Sequence, residues 1–148
     1  MSGLDEIDRR LLRLLAADAR RPYSDLAAEV GLTAPSVHAR VRKLEQRGVI
    51  RRYTIETDRE AVGRPVAALV SVQQQPGYHW ERLEAAFRDL DAVEAAYSVT
   101  GEETYVLLVR VGSPAELEEL LRAVNSVEGV ARTRTSVVLS TTFERATF

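Results

Sequence analysis

Apolar positions in the first fifty residues recur at helical spacing in three short runs. Ile7, Leu11, Leu14 and Leu15 fall at i, i+4, i+7 and i+8, one face of an amphipathic helix, and Asp5 stands where it can cap that helix. The run stops at Ala19-Arg20-Arg21-Pro22, because proline disfavours helix in the residue before it. Ser24 is expected to cap a second, short helix over residues 25–30, with Gly31 suited to a left-handed end. Thr33 caps a third, Pro35 lies harmlessly in its first turn, Val37, Val41 and Leu44 form its inner stripe, and Gly48 closes it. A short helix, a tight Gly31-Leu32-Thr33 turn and a longer helix make a helix-turn-helix, with Ala27 small at the crossing and Leu32 and Val37 filling the angle. Residues 49–55 are rich in β-formers and are expected to form a strand, the wing of a winged helix-turn-helix over residues 1–60.

The period changes after a linker at 61–65, which holds Gly63 and Pro65. Residues 66–72 read as a strand. Trp80, Leu83, Phe87 and Leu90 mark a helix, residues 93–99 and 105–111 two strands around a turn at Gly101-Glu102-Glu103, and Ser113-Pro114-Ala115-Glu116 a capping box. That box opens a helix carrying Leu117, Leu120, Leu121 and Val124, and residues 130–142 read as a last strand. The order β-α-β-β-α-β predicts an α+β, ferredoxin-like domain over residues 66–148. Val106 and Leu108 alternate with Leu107 and Val109, so this strand is apolar on both faces. Helices cover one face, and a second subunit is the natural cover for the other. Tyr78 and Trp80 are read as core or interface aromatics.

Composition narrows the function classes. The 148 residues contain no cysteine, which removes disulfides, thiolate metal sites and thiol nucleophiles. No apolar run approaches the ~20 residues of a membrane span. The first eight residues lack the layout of a signal peptide, so a cytoplasmic location is expected, and no membrane partner. The net charge of −2 conceals an uneven distribution: residues 36–52 hold six basic side chains, Arg40, Arg42, Lys43, Arg47, Arg51 and Arg52, against Glu45 alone. On a mildly acidic chain this is either a solvated helix face or a footprint for phosphate, and the helix-turn-helix favours phosphate.

With Val37, Val41 and Leu44 inward, 100° per residue turns Pro35, Ala39, Arg42, Lys43 and Gln46 outward, with Ser36, Arg40 and Arg47 on one flank and His38 on the other. Ser36, His38, Ala39 and Arg42 are the candidates for the major groove; Arg40, Lys43, Arg47 and Arg51 are the candidates for backbone phosphate. Arg40 has an alternative, an ion pair with Asp25 or Glu29. His38 has one too, an idle surface position.

The chain resembles the Lrp/AsnC (feast/famine) family of prokaryotic transcription regulators. The likeness is carried by Leu4-Asp5-Glu6-Ile7-Asp8, Ser24-Asp25-Leu26-Ala27, Val30-Gly31-Leu32-Thr33, Arg40-Val41-Arg42-Lys43, Gly48-Val49-Ile50, Val99-Thr100-Gly101, and Gly129-Val130 with Thr133 and Thr135. It implies a nucleoid-associated regulator bound to double-stranded DNA at a pseudo-palindromic operator. It also implies homodimers joined through the C-terminal sheets, with tetramers or octamers built from them, and an amino acid or related small molecule as effector, with no other cofactor. By position, that effector site draws on Val99, Thr100, Gly101, Glu102, Glu103 and Thr104 of the turn, with Thr133 and Thr135. The family usually has aspartate three residues after this glycine, where this chain has Thr104; Glu102 or Glu103 could stand in, or the effector could differ.

Three other functions compete. Siroheme decarboxylases share the two-part layout, but their chemistry leans on histidine and arginine around a tetrapyrrole, and here only His38 and His79 occur, in different domains, with His38 on the recognition helix. No carboxylate pair, metal cluster or Ser/His/Asp set stands out, so no enzyme is expected. A metabolite-binding module without a DNA role conflicts with the charge bias of residues 36–52. An architectural, weakly specific DNA binder would differ in discriminating little between sequences.

Overall fold

A computed structural model describes residues 3–144 and contains α1 (Glu6–Ala17), α2 (Tyr23–Val30), α3 (Ala34–Gln46), β1 (Val66–Gln74), α4 (Trp80–Arg88), β2 (Val93–Ser98), β3 (Tyr105–Val111), α5 (Pro114–Ser126) and β4 (Val130–Val138). The chain divides into two compact units, the second spanning Thr57–Thr142. Residues 61–65 lie in this second unit, where Arg59 bonds Glu94 at 2.9 Å and Arg64 pairs with Asp91.

In the first unit the inward stripes close one core. Leu11, Leu26, Val37 and Val41 are fully buried, Ala27 sits at the helix crossing, and Leu32 packs from the side. Asp5 caps α1 by accepting the Asp8 N–H at 2.7 Å, and Thr33 caps α3. Gly31 and Gly48 end α2 and α3 in the left-handed region, at φ 68° in both cases. Two local expectations are corrected. Ser24 is not a cap: Pro22 occupies that position, its carbonyl accepts from Asp25 and Leu26 at 3.1 Å, and the Ser24 hydroxyl instead donates to Asp25. Proline's fixed φ already sets the extended entry to the helix, so the helix starts earlier, at Tyr23. Residues 49–55 form no strand among the described residues, none of which pairs with them in a ladder; Tyr53 and Ile55 are left exposed.

The second unit is a four-stranded antiparallel sheet in the order β2-β3-β1-β4, with α4 and α5 on one face. Ala68, Val70 and Val72 of β1 pair with Val109, Leu107 and Tyr105 of β3, and all lie against Leu83, Phe87 and Val124 from the helices. The strands at 93–99 and 130–142 prove shorter than expected, ending at Ser98 and Val138. The other face carries Leu69, Tyr97, Val106 and Leu108, with Leu69 and Tyr97 41% and 55% exposed. Tyr78 packs on the core and Trp80 is exposed.

Gly129, at φ 93°, lies under the Tyr78 ring, so that an added Cβ would come within 2.2 Å of it. Gly77, at φ 76°, has open space around it. Gly129→Ala is therefore expected to destabilise the domain by more than the ~1–2 kcal/mol of a left-handed alanine, and Gly77→Ala by no more than that. Chemical denaturation of both variants checks this ordering.

Candidate DNA-binding surface and effector turn

On α3, Val37, Val41 and Leu44 are buried, which leaves Ser36, His38, Ala39, Arg42, Lys43, Gln46 and Arg47 exposed, as helical geometry requires. The first turn is tied down: Ser36 and Thr33 hydroxyls lie 2.9 Å apart, and the His38 ring stands edge-on to Tyr23 with centroids 5.3 Å apart. Arg42, Lys43, Arg51 and Arg52 have no hydrogen-bond or ion-pair partner among the described residues. Elsewhere on this unit most cations, Arg20 excepted, are paired with a carboxylate. Arg21 and Arg10 reach Glu29 at 2.8 and 3.4 Å, Arg13 reaches Glu6 at 3.2 Å, and Arg21 is the main cause holding Glu29 below the usual carboxylate range. Glu45, the one acid within the basic run, accepts from the Tyr53 hydroxyl at 2.7 Å; burial first and Glu45 second raise the Tyr53 phenol above its ordinary value.

Arg40 differs from its neighbours. Its Nη1 donates to Asp5 Oδ2 at 2.6 Å and Asp8 Oδ1 at 2.8 Å, so the ion pair exists but with α1, not with Asp25 or Glu29 of α2. Periodicity placed Asp5 as a cap only; its second oxygen was invisible because the α1–α3 approach is tertiary.

The turn after β2 is held by backbone. Val99 N–H donates to Thr104 O at 3.0 Å, Thr104 N–H to Val72 O at 2.8 Å, and the Gln74 N–H to Thr104 Oγ1 at 3.2 Å. Gly101 sits at φ 130°, with Val99, Thr100, Gly101 and Glu102 exposed. Glu103 is paired with Arg134. The predicted cluster is thus divided by β4. Thr133 and Thr135 pair with Val72 and Val70 and face the helices, where Thr133 Oγ1 donates to Asn125 Oδ1 at 2.9 Å. Arg132 and Arg134 face the open side with Ser71, Gln73, Glu102 and Glu103, around a hollow of about 30 Å³ whose rim Thr133 also reaches. Sequence reasoning missed both arginines; alternation along β4 held that signal, since even positions there share a face.

A three-helix head that exposes Arg42 and Lys43 on its third helix, joined to an antiparallel α/β sheet domain, defines a DNA-binding regulator with a separate ligand-binding module. Residues 4–45 match the AsnC-type helix-turn-helix domain and residues 66–148 the Lrp/AsnC ligand binding domain. The HTH-type transcriptional regulator LrpA of Mycobacterium tuberculosis is 43% identical over 94% of this chain and 92% of its own length. The regulator FL11 of Pyrococcus abyssi is 32% identical over 94% and 91%. Among solved structures, a feast or famine regulatory protein from M. tuberculosis complexed with L-methionine has TM-score 0.90 and 42% identity, over 96% of each chain. The chain belongs to the Lrp/AsnC family of transcriptional regulators, and it is not an enzyme. No helix among the described residues is long and apolar enough to cross a membrane.

The Asp5 carboxyl is held below its ordinary value, first by the Asp8 N–H and then by Arg40. A depressed folded pKa stabilises above the unfolded value of 3.8 and is lost as pH falls through the folded one. Thermal melting between about pH 6 and about pH 3 should therefore show the head losing stability toward acid, with a shallower loss in Asp5→Asn.

Proposed function

We propose that the chain binds a pseudo-palindromic operator as a homo-oligomer and that an α-amino acid at the C-terminal domain modulates this binding. One observation carries the DNA part: Arg42, Lys43 and Arg51 have no partner among the described residues, on a unit that pairs Arg10, Arg13 and Arg21 internally. Ser36, His38, Ala39 and Arg42 meet base edges in the major groove, and Lys43, Arg47 and Arg51 meet phosphate. A dimer joined through the open sheet face buries Leu69, Tyr97, Val106 and Leu108, presents two heads, and so sets the half-site spacing.

The effector site is built on residues 99–104, with Thr133 and Thr135 contributing from the edge. Glu103 is occupied by Arg134, which leaves Glu102 and Arg132 as unpaired opposite charges on one hollow. These suit an ammonium and a carboxylate respectively, and Glu102 takes the role that aspartate in place of Thr104 has in the family. The hollow's volume of about 30 Å³ is far below the ~300 Å³ of a pocket that encloses a small molecule. A second copy completes the site, which links effector binding to assembly. The L-methionine complex of the related M. tuberculosis protein supports an amino-acid ligand.

Arg42→Ala should relax base preference at one position of each half-site, while Lys43→Ala weakens all sequences alike and lowers the salt slope by about 1. Equal losses with unchanged preference contradict the assignment. A thermal-shift screen of the amino acids should find a stabilising ligand for the native chain. Glu102→Gln should abolish that shift and Thr104→Asp enlarge it; no shift in either the native chain or Thr104→Asp rules out the amino-acid effector.

A further inference from the structure

The geometry points to Arg40 as a positioning residue for DNA recognition, which sets the recognition helix against α1 through Asp5 and Asp8 and leaves phosphate to its neighbours. Arg40 lies at mid-helix on the flank of α3, its side chain one-third exposed, and one guanidinium nitrogen spans two carboxylates at 2.6 and 2.8 Å. Asp8 is nearly buried, with 13% of its side chain exposed. Asp5 uses both oxygens, one for the α1 cap and one for Arg40, so the end of α1 and the middle of α3 are fastened at a single point. Two carboxylates against one guanidinium leave this cluster with a formal net negative charge, so Arg40 has no charge to offer a phosphate. Lys43 lines the same hollow and supplies positive charge beside it. Base readout requires side chains held to within a fraction of an ångström, so the consequence of losing the bridge falls on discrimination and not on electrostatic attraction.

The inference rests on the proposed recognition surface, and its test separates the two. Binding of the full-length native chain, Arg40→Ala, Arg40→Lys, Asp8→Asn and the double variant Arg40→Ala/Asp8→Asn is measured on a selected operator and a scrambled duplex over a salt series. Each single variant should lower the operator-to-scrambled ratio by about tenfold, a typical worth of one base contact, with scrambled binding and salt slope unchanged. The double variant should be no worse than Arg40→Ala alone, since both remove one bridge. Lysine should not rescue, because its ammonium ends one bond short of the Nη1 position that meets both carboxylates. Arg40→Lys keeps the charge and the packing stem, so it carries the test if Arg40→Ala fails to fold. The inference is overturned if Arg40→Ala weakens both duplexes alike, with the slope falling by about 0.9 and lysine restoring it. Tighter binding by Asp8→Asn, which would mean a released Arg40 finds phosphate, overturns it too. A native chain with no preference among sequences removes the recognition surface and this inference together.

Discussion

The bridge between Arg40 and the two aspartates of α1 is the interaction on which the DNA-binding head turns. A three-helix unit of some fifty residues has a small core, here Leu11, Leu26, Val37, Val41 and a few partners, and such a core fixes helix angles only loosely. Adding one partly buried ion pair with two carboxylates specifies where α3 lies along α1. The same unit must leave cations unpaired on its outer surface, since a charge already matched at home gives little to a phosphate. The head satisfies both demands by assigning them to different residues. Arg40 turns inward, while Arg42, Lys43 and Arg51 remain open.

The second domain divides its labour between two sheet faces in a comparable way. One face is packed by α4 and α5 and closes a dry core around Phe87 and Leu107. The other presents Leu69 and Tyr97 to water and ends near the Glu103–Arg134 pair and the small polar hollow beside it. In the proposed reading assembly and ligand binding involve one surface, and that proximity is a physical basis for coupling them.

Much of the fold was legible in the order of hydrophobic residues, for identifiable reasons. The helices of the head follow from i, i+4 stripes with Asp5 and Thr33 before them and Gly31 and Gly48 after. The α/β order follows from changes of period and from the capping box at Ser113. What failed depended on partners distant in sequence. Residues 49–55 have strand composition, but a strand is defined by its neighbour, and none of the described residues pairs with them. Pro22 displaced Ser24 as a cap because backbone geometry outweighed side-chain preference. At the sites, the exposed face of α3 was readable from 100° spacing. The pairing of Arg40 with α1 and of Glu103 with Arg134 depends on how elements dock, which no local pattern encodes. Parity along β4 did separate Thr133 and Thr135 from Arg132 and Arg134, but only the register with β1 shows which pair joins the turn.

The central claim is that a recognition helix with Arg42 and Lys43 open on its outer face, presented twice by a paired sheet domain, reads a defined DNA sequence. Selection of binding sites from a random duplex pool with the full-length chain tests this most directly, run with and without amino acids. The account predicts one enriched pseudo-palindromic motif with a fixed spacing between half-sites, and enrichment that changes when the effector is present. Recovery of sequences without a shared motif, bound with a steep salt dependence alone, would contradict it.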